Sequence, residues 1–90
     1  MLKIELVPDL EHCIETIARR KHAEFAQTLL ENEASDPETE EKLEILRLFL
    51  ETADFRKLRA ESEKQLIDGR KVRFTVYIEG SVPKCEMPVT

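Results

Sequence analysis

Two stretches of this chain alternate apolar and polar residues at period two, and they lie at its opposite ends. In the first, Leu2, Ile4 and Leu6 fall on one face while Lys3 and Glu5 fall on the other. In the second, from Arg70 to Glu79, Val72, Phe74, Val76 and Ile78 oppose Arg73, Thr75, Tyr77 and Glu79. Such alternation specifies a strand with one buried face, and that face must be laid on something. Everything between the two has helical spacing. The order strand, helices, strand predicts an α+β fold in which the terminal strands pair as a small sheet over helices.

The helical region divides at recognisable signals. Pro8-Asp9 ends the first strand and provides an N-cap for a helix running to about Glu33. Its stripe is Leu10, Ile14, Ile17, Phe25 and Leu29, widened by Cys13, Ala18 and Ala26. Asp36-Pro37 starts a second helix, with Glu38, Glu40 and Glu41 at the positive end of its dipole. The short connection folds the two helices into an antiparallel hairpin turning at Ala34-Ser35. In the second helix Leu43, Leu46, Leu50 and Ala53 form a seam broadened by Ile45, Leu48 and Phe49, an apolar face wide enough to be touched from more than one side. The phase slips after Ala53, and Thr52 and Asp54 are both N-cap residues, so a third helix from about 55 to 68 is expected, with one bent helix from 37 to 68 as the alternative. Gly69 is its left-handed C-cap. A third helix that reverses direction would make the terminal strands parallel, and one continuous with the second would make them antiparallel.

Ninety residues give one domain. We expect a compact unit over 1–80 and, because Pro83 and Pro88 interrupt a segment with little to pack, an extended tail over 81–90. Hydrophobic residues make up 41% of the chain, enough for one modest core and too many for disorder. The net charge of -5 argues against general attraction to nucleic acid or anionic membranes. No run approaches the roughly 18 apolar residues of a membrane span, and no basic segment precedes an apolar one at the N-terminus. Cys13 and Cys85 are too few and too far apart for a disulfide scaffold, and a single bridge between the paired ends is the alternative to two free thiols. A cytoplasmic protein without a cofactor is expected.

Charge is unevenly placed. Between Glu31 and Glu44 seven acids face Lys42 alone, a local net of -6, whereas between Arg56 and Arg73 seven bases face three acids, a net of +4. In a hairpin folded at Ala34-Ser35, Arg19, Arg20 and Lys21 fall level with the start of the third helix, near Arg56, Lys57 and Arg59. These six form the candidate partner-binding site, for an acidic protein surface or for phosphates. Their bland alternative is a solvated helix face neutralised by Glu61 and Glu63.

Catalytic motifs are missing from the sequence. His12 and Cys13 are adjacent and diverge by about 100° around a helix, and neither His12 nor His22 has a ligand four residues on, so no metal site is expected. His22 borders the apolar stripe as a structural residue. Cys13 should be a small buried hydrophobe and Cys85 an exposed thiol, with a thiol-dependent activity at Cys85 as a third hypothesis. The glutamates resemble a solvated face rather than paired carboxyls in a pocket, and Gly69 and Gly80 merely flank the last strand. The expected function is therefore a non-enzymatic protein-interaction module. A homodimer is expected, because an isolated two-stranded sheet is marginal and leaves two open edges. A nucleic-acid-associated regulator using the six basic residues is the alternative.

Overall fold

The computed structural model describes residues 2–31 and 36–87, so the expected turn at Ala34-Ser35 lies outside the described residues. The chain is α+β, with elements in the order β1 (Ile4–Leu6), α1 (Ile14–Glu31), α2 (Pro37–Thr52), α3 (Phe55–Ile67), β2 (Phe74–Glu79) and β3 (Val82–Glu86). The strands form one antiparallel sheet in the order β1-β2-β3. Terminal pairing is as the alternation demands: Ile4, Glu5 and Leu6 sit opposite Val76, Thr75 and Phe74. Ile4, Leu6, Phe74 and Val76 are thereby buried against Ile14 and Ala18 of α1 and Ile45, Leu46 and Phe49 of α2.

Each junction has a local cause. Asp36 caps α2, accepting from the Thr39 N–H at 3.4 Å and the Thr39 hydroxyl at 2.7 Å. Asp54 does the same for α3 through the Lys57 N–H at 3.2 Å, and the extended backbone of Ala53 separates the two helices. The separate third helix is thus the observed form. Strands β1 and β2 are antiparallel, which settles the orientation that the sequence left open. α3 ends in a Schellman cap, with Gly69 at φ +79°, its N–H donating to the Leu66 carbonyl and the Arg70 N–H donating to the Gln65 carbonyl.

Two expectations are corrected. Helix α1 begins at Ile14, because Asp9 spends its carboxylate on its own turn. Its Oδ1 accepts from the Glu11 and His12 N–H groups at 2.8 and 2.7 Å, and its own N–H donates to the His12 carbonyl. Cys13 takes the capping position instead, its carbonyl receiving the Ile17 N–H, and Leu10 lies outside the helix with 72% of its surface exposed. The second correction concerns the segment read as a tail from residue 81. Gly80 and Ser81 both adopt positive φ, +57° and +68°, the two-residue turn whose twist matches paired strands, and Glu79 sits opposite Val82. Val82–Glu86 then runs back along β2 as a third strand. The sheet therefore has three strands, and the premise of a two-stranded sheet no longer applies.

The central packing unit is Phe49, with 2% of its surface exposed and its ring edge-on to Phe55 at 5.3 Å. Phe49→Ala should cost about 3–5 kcal/mol, measured as a fall in the urea midpoint. Asp36 titrates below the ordinary aspartate value of 3.8, mainly because its carboxylate accepts from the Thr39 hydroxyl. Its ionised form stabilises the fold above that value, and the contribution is lost as pH falls through the depressed one. The advantage of the wild type over Asp36→Ala should be complete at about pH 5 and shrink toward about pH 2, as read by urea titrations across that range.

Candidate functional site: the open edge of β1

Lys3, Ile4 and Glu5 alternate up and down from the sheet, yet all three line one open groove of about 570 Å³. Consecutive strand residues share a groove only when the edge of the strand faces it. Outside the ladder to β2, no backbone hydrogen bond to residues 2–7 is made among the described residues. The opposite wall is α1, through Ile17, Arg20, Lys21, Glu24 and Phe25. Those positions follow the three- and four-residue steps of one helix face. Val7, 55% exposed, and Lys42 of α2 complete the groove's lining.

Four cations and two carboxylates ring this groove. Lys21 is 3.9 Å from Glu24, and Lys42 pairs at 3.4 Å with Glu38 while its Nζ stands 5.7 Å over the Phe25 ring. Lys3 has its Nζ 5.4 Å from the Tyr77 ring centre on the outer face of the sheet. There Tyr77 is 8% exposed, although its place in the alternation assigned it to solvent. It is covered by Lys3 and by the Glu86 carboxylate, to which its hydroxyl donates at 2.6 Å, and this bond pushes the phenol up to about 12. Arg20 makes no ion pair among the described residues.

Five of the six sequence candidates are divided among three grooves, and Arg19 lines none of them. Arg20 and Lys21 belong to the β1 groove; Arg56 and Arg59 line a second groove with Cys13, Glu15 and Glu63; Lys57 lines a third with Phe49, Glu61 and Cys85. Arg19 pairs with Glu15 at 3.1 Å and Arg59 with Glu63 at 3.5 Å. The hairpin does bring α1 level with α3, but Arg20 and Lys21 turn around the helix toward β1. Lys3, Ile17, Phe25 and Lys42 figure in the sequence only as strand, core and charge positions, and Glu24 carries no signal there. The helical spacing from 17 to 25 was readable there; the strand edge opposite it was not.

Neither cysteine keeps its expected environment: both are half-buried, and of the two only Cys85 packs against the core. Cys13, at the start of α1, has its thiol held below the ordinary value. The main cause is its contact with the Thr16 hydroxyl at 3.3 Å, with the N–H groups of Thr16 and Glu15 and the charge of Arg59 adding to it. Cys85 faces inward from β3 against the core, and burial pushes its thiol up to about 12. Both are free thiols. No group of three or more potential metal ligands occurs among the described residues, and none of their helices is long and apolar enough to cross a membrane. Because the thiolate is the nucleophile, iodoacetamide near neutral pH should alkylate Cys13 well before Cys85, with mass spectrometry of timed digests giving the order. Equal rates at the two sites would contradict these environments.

A protein-family model matches residues 1–86, and so takes in every helix and strand described, and the chain belongs to that family. No curated protein and no solved structure matches the chain.

Proposed function

We propose that this family member is a non-enzymatic protein-interaction module that receives its partner along the open edge of β1. The observation that carries the reading is the contrast between the two edges of the sheet. A strand edge presents unpaired N–H and C=O groups, and sheets that must stay single blunt their edges with proline and lysine. The β3 edge carries Pro83, which has no N–H, and the exposed Lys84. Strand β1 is short and carries Glu5 with Lys3 just before it, but it has no proline within Ile4–Leu6, so none of its N–H groups is missing, and it opens onto a groove with apolar and mainly basic walls. Two free thiols accord with a cytoplasmic setting.

One observation favours a second reading, in which the same edge pairs with another copy. Lys3 and Glu5 flank Ile4, so two β1 strands meeting antiparallel about Ile4 would set Lys3 against Glu5 of the partner subunit. The nucleic-acid alternative has less support, since five of its six cations are divided among three grooves and three of the six pair with carboxylates.

The experiment compares wild type with the Arg20→Glu, Lys21→Glu double variant in cross-linking from native extract, beside light scattering of both proteins over a concentration series. The module reading expects adducts, or a dimer, that form with the wild type and are lost in the variant while circular dichroism is unchanged. Adducts indifferent to the double reversal, or a monomer that captures nothing, would overturn it. Nucleic-acid binding that falls steeply between about 50 and 200 mM salt would replace it with the alternative.

A further inference from the structure

We infer that the occupant of the β1 groove is an extended, acidic segment of a partner protein, added to the sheet as a fourth strand; this rests on the interaction reading above and names the chemistry of its ligand. Strand addition suits the shape. The groove lies between a strand edge and a helix flank, so a chain entering it meets backbone donors and acceptors on one side and side chains on the other. An incoming strand that bonds to β1 turns alternate side chains toward α1, where Ile17 and Phe25 are partly buried apolar surfaces flanked by Arg20 and Lys21. Its remaining side chains emerge on the outer face beside Lys3 and Glu5, where Glu5 is already opposed by Arg73 at 3.8 Å. Alternation of apolar and acidic residues satisfies both.

Charge selects between occupants. Lys21 and Lys42 pair with Glu24 and Glu38, and Glu5 lies 3.8 Å from Arg73, which leaves Lys3 and Arg20 as groove cations in no ion pair among the described residues, in a chain whose net charge is -5. A basic segment would face those two cations. A second copy would bring its own α1 beneath its own β1, so that Arg20 and Lys21 of each subunit approach those of the other, and this repulsion opposes the Lys3–Glu5 register. A single acidic strand meets the same cations without that penalty. Its backbone bonds supply affinity, and the flank of α1 supplies selectivity.

The test selects short random peptides displayed on phage against the full-length chain at low salt, then maps the enriched peptides by backbone amide chemical shifts. Enriched sequences should be rich in Asp and Glu alternating with apolar residues, and shifts should concentrate on residues 2–7 and on the α1 face from Ile17 to Phe25. N-methylation of alternate peptide residues should abolish binding in one phase of the alternation and spare it in the other. The Arg20→Glu, Lys21→Glu variant should bind about tenfold more weakly or worse, and the milder Arg20→Gln, Lys21→Gln variant should fall between. Peptides without an acidic excess, shifts centred elsewhere, or affinity indifferent to the double reversal would overturn the inference. A wild-type dimer that selects no peptide would overturn it too while leaving the interaction module standing as a self-pairing one. A monomer that selects no peptide and forms no cross-linked adduct would remove both.

Discussion

The fold depends on the pairing of Ile4–Leu6 with Phe74–Val76, which joins the two ends of the chain. Three residues of β1 would hold nothing by themselves. They are fixed because Ile4 and Leu6 are buried between β2 and the α1–α2 hairpin, so that ladder and core close together. Closing so long a loop costs an entropy that grows only slowly with its length, and the apolar faces of β1 and β2 offset it. With β2 central, its buried face carries Phe74 and Val76 against the helices, while Tyr77 on the opposite face is sealed by Lys3 and Glu86. Once β1 is docked, its outer edge and the flank of α1 face each other across a groove.

The Gly80-Ser81 turn decides which edge stays open. By folding Val82–Glu86 back onto β2 it occupies that side of the sheet with a strand carrying Pro83 and Lys84, and it draws Cys85 inward. That one turn changes three inferences made from sequence. The sheet has a third strand, its marginality ceases to be an argument for dimerisation, and Cys85 becomes a packed side chain with a raised pKa instead of an exposed thiol. The signal was present in the sequence, since Gly-Ser following an alternating run is a recognised hairpin turn. Two prolines in the following segment argued against a strand, but on an edge Pro83 sacrifices no ladder bond that its neighbour needs.

The electrostatic pattern shows a similar division. Runs of like charge along the chain are visible without a structure, and they suggested one basic end. Around a helix, however, neighbouring residues diverge by about 100°, so Arg19 and Arg20 part company: one pairs with Glu15, the other faces β1. Charges adjacent in sequence are thus separated among grooves by the helical repeat, and each groove acquires its character from what lies across from it.

The sequence by itself determined the fold class, the caps at Asp36 and Gly69 and the pairing of the terminal strands, and it offered the division between the second and third helices, with Asp54 beside Thr52 as the cap, against one bent helix. These follow from local rules: side-chain periodicity, the need to satisfy terminal N–H and C=O groups, and the single apolar face of each strand. Tertiary structure alone decided the antiparallel direction of β2 against β1 and the packing of Cys85, rather than Cys13, against the core. It also decided the meeting of β1's edge with Ile17, Arg20, Lys21 and Phe25. Those outcomes depend on which surfaces face one another across the core, and residues far apart in the chain carry no local mark of their future neighbours.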